Sequence, residues 1–343
     1  MTKYIYTITI LISLLLTSSC AVNKISTSDK LNSFFKKKEV TIVVTDSGLG
    51  GLSVAAELEN RIKKSGVFKK VNIVFFNALA AKNKGYNRLK TTEEKVAVFD
   101  SALKSIDKKL KPDLLLIACN TLSVLYDLTK FSKKAKFPVV GIVGTGVDLI
   151  YSKLKKSKSA QVIIFATKTT VNQESHKKML IQKGIDNNQV IMQACPRLAG
   201  RIERNPKSKK TKRLVKKYIE QAINKLAENT DSLYVSYNCT HYPYVDGLFR
   251  KEFKKHRVNV VDFLNPNPLM INFIFNKKYL NRYQKTKTHV RVISQVSLSD
   301  KKIRAISGLL NKISKKTALA LKNYDLYPDF FKLNDRDTLI QIY

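Results

Sequence analysis

Two cysteines follow apolar runs that have the character of buried strands, and each is followed by polar residues. Cys119 comes directly after Leu114–Ala118 and precedes Asn120 and Thr121, while Cys239 comes one residue after Leu233–Tyr237 and precedes Thr240 and His241. A thiolate is a good base and nucleophile, so two such thiols facing one ligand could move a proton between them. A single buried cysteine is more often structural. The repetition of the pattern makes the pair a candidate site.

A glycine-rich turn follows an earlier strand and opens a helix. It contains Asp46, Ser47, Gly48, Gly50 and Gly51. Ser53 stands where a dinucleotide fingerprint needs Gly or Ala, and the acid before the loop would repel a phosphate. The pattern favours a smaller anion, such as a carboxylate, at the helix N-terminus, with Asp46 free for a substrate ammonium or a thiol. Alternatively, Asp46 is only a helix cap.

Short apolar runs alternate with amphipathic helical segments from residue 40 onward. This alternation predicts an α/β fold with mainly parallel sheets flanked by helices. The runs fall into two sets and predict two pseudo-symmetric lobes, with ligands beyond the strand ends in the cleft between them. Lobe A is expected to comprise residues 39–140 and 265–343, and lobe B residues 141–264. The predicted strands are 40–45, 71–76, 114–118, 139–143, 161–166, 189–194, 233–237 and 258–263; the predicted helices include 53–65, 91–110 and one near 300–314.

Composition excludes several classes of protein. The 343 residues include 63 Lys and Arg against 26 Asp and Glu, for a net charge of +37, and 44% are hydrophobic. That apolar content excludes general disorder, and four cysteines are too few for a disulfide scaffold. Zinc-finger, basic-zipper and RNA-recognition motifs are missing, so a nucleic-acid partner is not expected. The densest basic run, 204–217, is read as a solvated helix face rather than as a surface for anionic lipid or polymer.

The first twenty residues read as a targeting signal. A basic start and an apolar stretch from Tyr4 to Leu16 are followed by small residues and Cys20. Their length suits a signal peptide better than a membrane-spanning helix. The pattern resembles a bacterial lipoprotein processing site, although Thr17 stands where Leu is preferred. We expect a signal peptide over 1–19, lipidation at Cys20 and a flexible tether over 20–38, which makes the protein a membrane-anchored lipoprotein outside the cytoplasm, on the periplasmic side. An uncleaved anchor is the alternative.

Taken together, the motifs resemble the cofactor-independent amino-acid racemases of the aspartate/glutamate racemase family, and most of all its glutamate racemases. The resemblance covers about residues 40–265 and fades in the tail. The matching stretches, in the family's order, are Asp46–Gly48 through Gly51–Ser53, Cys119–Thr121, Pro138–Gly141, Thr167 with Thr170-Val171, Ala194–Pro196 and Cys239–Pro243.

The resemblance implies a reaction and a set of site residues. The reaction is interconversion of L- and D-glutamate, which in this family supplies peptidoglycan synthesis, by two thiols on opposite faces of the α-carbon. The implied catalytic residues are Cys119 with Asp46, and Cys239 with His241. The implied substrate-binding residues are Asp46, Ser47, Tyr86, Asn87, Asn120, Thr121, Thr240 and His241. Asn87 departs from the family's Gly, and His176 stands where Tyr is frequent. Cys195 is assigned a structural role.

Three other functions stay open at this point. The chain could be a lipid-anchored amino-acid-binding protein that kept the cleft and lost turnover, a racemase of aspartate or another acid, or a hydantoin racemase or one-thiol decarboxylase. The expected partners are a small acidic amino acid and, through the anchor, a membrane; a homodimer is left open. The sequence carries no signature of pyridoxal or nicotinamide and no metal-ligand cluster, so neither a cofactor nor a metal is expected.

Overall fold

A computed structural model describes residues 27–82, 85–227 and 230–332. Within these ranges the strands are β1 (Glu39–Asp46), β2 (Lys70–Asn77), β3 (Leu114–Ile117), β4 (Val139–Gly141), β5 (Gln161–Ala166), β6 (Val190–Ala194), β7 (Leu233–Asn238), β8 (Val260–Leu264), β9 (Lys287–Ser294) and β10 (Asp325–Leu326). The α-helices are α1 (Thr27–Lys36), α2 (Leu52–Ser65), α3 (Thr92–Leu110), α4 (Asn120–Ser123), α5 (Ile142–Leu154), α6 (Lys168–Gln173), α7 (Ser175–Gln182), α8 (Leu198–Arg204), α9 (Lys209–Ile223), α10 (Asp246–Lys255), α11 (Asp300–Leu310) and α12 (Lys315–Lys322).

The strands form two parallel sheets, one in each lobe. The first has the order β10-β9-β2-β1-β3-β4 and the second the order β6-β5-β7-β8. Every position of β5 is buried, as is typical of a parallel strand covered by helices on both faces. In β1, Ile42 and Val44 belong to one apolar cluster and Val43 to another, so each face of the first sheet has its own core. The predicted α/β fold with two lobes is confirmed.

Strand register brings the turns that carry the site to one edge of each sheet. Thr45 of β1 pairs with Ile117 of β3, so the segments that follow, Asp46–Ser47 and Ala118–Cys119, leave the first sheet side by side. In the second sheet Ala166 pairs with Asn238, which places Cys239 at the carboxyl edge of β7. Ligands of open α/β sheets bind at such edges.

Two predictions about the chain ends need correction. Residues 27–36, expected to be part of a flexible tether, form α1, whose Phe34 and Phe35 pack on Phe68 and Tyr279 of lobe A. The tail, for which the sequence predicted no strand, supplies β9, which pairs along its full length with β2.

The membrane prediction falls on the N-terminal segment. The predicted signal peptide and the predicted lipidation site, Cys20, lie outside the described residues. Among the residues that are described, no helix combines the length and the apolar character needed to cross a bilayer.

The strongly basic segment is largely α9. Its buried face carries Val215, Ile219 and Ala222, while Lys209, Lys210, Lys212, Arg213, Lys216 and Lys217 are exposed. This is the solvated helix face that the sequence predicted.

Candidate active site

Asp46 ends β1 and points into the boundary between the lobes. Its side chain is buried, and Oδ2 accepts a 2.7 Å hydrogen bond from the Thr240 hydroxyl of lobe B. Oδ1 accepts from the backbone N–H of Gly48 at 3.1 Å, inside the turn. Burial raises the pKa of Asp46, and the charge of His241 and the Thr240 hydrogen bond oppose that rise. The carboxyl group therefore accepts hydrogen bonds from both lobes. Because its pKa is raised, it binds a proton more readily than an exposed carboxylate does.

Cys119 lies beside the same turn. Its Sγ is 3.1 Å from Oγ of Ser47, and its side chain is within hydrogen-bonding reach of Asp46. Burial raises the pKa of the Cys119 thiol well above its ordinary value, and the negative charge of Asp46 adds to this effect. The thiol form of Cys119 is thus the stable one while Asp46 is ionised.

Cys239 has a different neighbour. Its Sγ lies 3.9 Å from Nδ1 of His241, and Nε2 of His241 lies 3.0 Å from Oε2 of Glu203. Burial alone would lower the pKa of His241, but hydrogen bonds to Cys239 and Glu203 outweigh it and raise the pKa to about 10. The two thiols therefore sit in opposite electrostatic environments.

Glu203 completes this group and was not among the predicted site residues. Its Oε2 also accepts from the backbone N–H of Leu49 at 3.2 Å, and its Oε1 is paired with Lys302 at 2.6 Å. Burial would raise the pKa of Glu203, but His241 and Lys302 lower it to about 2. Glu203 is the one acidic residue in the otherwise basic stretch from residue 196 to 219. A single acid among so many basic residues is the sequence feature that could have indicated its role.

Glycine at position 50 allows the two lobes to approach this closely. A Cβ built there would overlap Oγ1 of Thr240 and would lie 2.5 Å from Nδ1 of His241. Any side chain at residue 50 would push Thr240 and His241 away from Asp46.

Asn120 and Thr121 form a polar wall beside Cys119. Oγ1 of Thr121 is 2.8 Å from Oγ1 of Thr167 across the lobe boundary. Oδ1 of Asn120 is 3.2 Å from Nε2 of His176, and burial lowers the pKa of His176 to about 4, so the imidazole is neutral and donates through Nε2. Among the described residues, Nδ2 of Asn120 is buried without a hydrogen-bond partner. That amide can donate to a ligand carboxylate.

Tyr86 and Asn87 make contacts within the protein. The Tyr86 hydroxyl donates to the carbonyl of Ala78 at 3.1 Å, and Oδ1 of Asn87 accepts from the backbone N–H of Thr169 at 3.1 Å. Asn87 thus links the loop after β2 to α6 of the other lobe, a connection that the family's glycine could not make with a side chain. Cys195 is buried in the core of lobe B.

The arrangement as a whole is suited to proton transfer. Each thiol lies beside a group that can hold a proton. The contacts described above join six residues: Asp46, Ser47, Cys119, Thr240, His241 and Cys239. Among the described residues, no three His, Cys, Asp or Glu side chains are grouped so that they could hold a metal ion.

Comparison with known proteins identifies the class. The model of the Asp/Glu/Hydantoin racemase family matches residues 49–264, nearly two thirds of the chain, so the chain belongs to this family and is an isomerase.

The relatives with similar sequences include several glutamate racemases. The chain is 30% identical over 224 residues to the glutamate racemase of Aquifex pyrophilus, covering 64% of this chain and 78% of the relative. It is 27% identical over 278 residues to that of Clostridium perfringens strain ATCC 13124, covering 80% and 98%. Two solved structures support the fold: a glutamate racemase isoform from Bacillus anthracis (TM-score 0.61, 21% identity, 86% of this chain and 100% of that one) and the Francisella tularensis glutamate racemase in complex with D-glutamate (TM-score 0.61, 20% identity, 79% and 94%).

Proposed function

We propose that this protein is a cofactor-independent glutamate racemase that uses Cys119 and Cys239 as paired acid and base. One observation carries the proposal: the two thiols end strands of different lobes, and each has its own proton-holding neighbour, Asp46 or His241. The curated relatives named above are glutamate racemases, which favours glutamate over aspartate as substrate.

Racemisation requires that a proton leave one face of the α-carbon and that another arrive on the opposite face. In one direction, Cys239 acts as thiolate beside the His241 imidazolium and removes the α-proton, while the Cys119 thiol donates its proton to the other face. In the reverse direction, Asp46 takes the thiol proton of Cys119 so that this sulfur becomes the base, and the His241 imidazolium returns its proton to Cys239, which then donates it to the other face. The high proton affinity of buried Asp46 suits this exchange.

The intermediate carbanion needs its negative charge spread onto the substrate carboxylate. The unpaired amide of Asn120 and the hydroxyls of Ser47 and Thr121 are the donors available to do this. Preorganised donors of this kind stabilise developing charge because they need no reorientation during the reaction.

The test is racemisation by full-length protein purified in mild detergent and followed by optical rotation with L-glutamate and L-aspartate. Cys119→Ala and Cys239→Ala should each lower kcat by at least about a thousandfold, the usual loss for removal of an essential acid or base. Cys195→Ala is the matched control, because it removes another buried thiol, one that the proposed mechanism does not use. Activity retained in the Cys239→Ala protein would refute the mechanism.

A lipid-anchored binding protein derived from the same fold is the second candidate. The side-chain links that Asn87 and His176 make in place of the family's usual residues leave room for it. Deuterium wash-in at the α-carbon separates the two functions: binding of L-glutamate without exchange supports the binding protein. Faster turnover of aspartate than of glutamate would instead make it a racemase of a different acid.

We also propose that the protein is anchored outside the cytoplasm through lipid on Cys20. The apolar stretch and the small residues before Cys20 support this. Such a location fits poorly with a supply of D-glutamate for cytoplasmic steps and better with interconversion of free amino acids outside the cell membrane. Cys20→Ala should abolish incorporation of labelled fatty acid, and unchanged labelling would reject the anchor.

A further inference from the structure

Lys302 lies on α11, in the tail where resemblance to the family fades, yet it reaches the group around Cys239. Its Nζ is 2.6 Å from Oε1 of Glu203, whose other oxygen lies 3.0 Å from Nε2 of His241. We propose that Lys302 is a positioning residue that sets the proton affinity of His241 through Glu203. This inference deepens the proposed function and rests on it for its catalytic consequence.

Each oxygen of the Glu203 carboxylate has a cation beside it, His241 at Oε2 and Lys302 at Oε1. Glu203 is buried, and its negative charge stabilises the protonated form of His241. Lys302 neutralises part of that charge and also repels the imidazolium directly. Without Lys302, the charge of Glu203 would no longer be partly neutralised by this cation, and His241 would hold its proton more tightly.

The other groups facing His241 and Glu203 do not replace Lys302. From β1, Asp46 adds negative charge, and Cys239 does so when it is a thiolate. Tyr244 lies nearby but is neutral, since burial raises its pKa above the ordinary range and its hydroxyl donates to the carbonyl of Gly50 at 3.3 Å. Among the groups named here, Lys302 is therefore the cation that limits how strongly His241 is held in its charged form.

The ion pair between Lys302 and Glu203 also joins the two lobes. Lys302 belongs to the tail that packs on lobe A, and Glu203 belongs to α8 of lobe B. A movement that separates the lobes would break this ion pair and, with it, the hydrogen bond from Leu49 to Glu203. The proton affinity of His241 would then differ between open and closed forms of the cleft.

The first experiment measures the His241 pKa directly and needs no turnover. Full-length protein with isotope-labelled histidine is titrated by NMR, and the His241 signal is assigned as the one missing in His241→Gln. Lys302→Met should raise the His241 pKa by about half to one pH unit; the shift is small because Lys302 is partly exposed and water screens its charge. Lys302→Arg should restore the wild-type value. Lys301→Met, an exposed neighbour on the same helix, should leave it unchanged.

The second experiment concerns the reaction. In Lys302→Met, the pH profile of kcat/KM should shift to higher pH on the side where His241 loses its proton. The size of this shift should equal the change in the His241 pKa measured by NMR. An unchanged or lowered His241 pKa in Lys302→Met would overturn the inference and leave Lys302 as a structural contact. Absence of racemisation in the wild type would refute the proposed function alone, because the NMR result does not depend on turnover.

Discussion

At the residue scale, the two thiols differ in what surrounds them more than in their own burial. Cys119 lies beside a carboxylate that opposes its ionisation, and Cys239 lies beside the protonated imidazole of His241. An enzyme that must start with one thiol and one thiolate gains from such asymmetry, because two equal thiols would populate the required state poorly at neutral pH.

The His241–Glu203 pair should also shape stability. The pKa of His241, raised to about 10, contributes stability that is fully present below its unfolded value of 6.5 and is lost as pH rises through 10. The pKa of Glu203, lowered to about 2, contributes stability that is present above 4.5 and is lost as pH falls through 2. Both contributions are complete between pH 4.5 and 6.5.

Glu203→Gln should therefore lower the free energy of unfolding near pH 6 by about 1–3 kcal/mol, since it leaves a buried imidazole without its anionic partner. The difference from wild type should shrink as the pH approaches 10. Urea unfolding at several pH values measures it. Glu220→Gln removes a half-exposed acid paired with Lys216 and should cost less than about 1 kcal/mol. Equal losses for the two variants at pH 6 would contradict the buried-pair account.

His176 is predicted to act on substrate affinity through Asn120. His176→Phe removes the donor that holds Oδ1 of Asn120, so the free amide should lose its orientation toward the substrate carboxylate. We expect KM for L-glutamate to rise about tenfold, the usual cost of one hydrogen bond to a charged group, with a smaller change in kcat. Steady-state kinetics measures both, with exposed Lys178→Ala as control. An unchanged KM would show that Asn120 does not need His176.

The sequence located some of these residues and missed others for a physical reason. Cys119, Cys239 and Asp46 lie at or next to the ends of apolar strands, so strand pattern alone brings them to the sheet edges. Glu203 lies on a helix and Lys302 in the distant tail; their proximity depends on how the lobes pack, which periodicity does not encode.

At the scale of elements, the sequence predicted the strands of the core but not the helix and the strands near the two ends of the chain. Continuous apolar runs such as Gln161–Ala166 match observed strand bounds to the residue. β9 is harder to recognise because it alternates exposed residues with buried ones such as Val290 and Val292, and its strand character becomes evident once it pairs with β2. The helix α1 was not predicted because the residues around Phe34 and Phe35 are mostly polar, which is typical of a flexible segment.

Because α1 packs on lobe A, it should contribute to stability. The ring of Phe35 stacks on Tyr279 at 4.2 Å between centroids. Phe35→Ala should lower the free energy of unfolding by about 3 kcal/mol, the typical cost of removing a buried aromatic ring. Asn32→Ala on the exposed side of α1 should change it by less than about 0.5 kcal/mol. If urea unfolding gives the same midpoint for Phe35→Ala and wild type, residues 27–36 act as the tether that the sequence predicted.

At the scale of the whole molecule, the site exists because two similar sheets present their carboxyl edges to each other. Asp46 with Thr240, Leu49 with Glu203, and Thr121 with Thr167 join the lobes by hydrogen bonds within the candidate site itself. Two of these contacts involve buried acids of the candidate site, Asp46 and Glu203, so the lobes meet at the site itself.

The most direct test of opposed thiols follows the α-hydrogen during turnover in D2O. With each thiol acting on its own face, D-glutamate formed from L-glutamate at low conversion should carry solvent deuterium at the α-carbon, while recovered L-glutamate should keep its original hydrogen. Mass spectrometry of the separated enantiomers measures both. Product that retains the substrate's α-hydrogen would mean that one group serves both faces and would contradict the account.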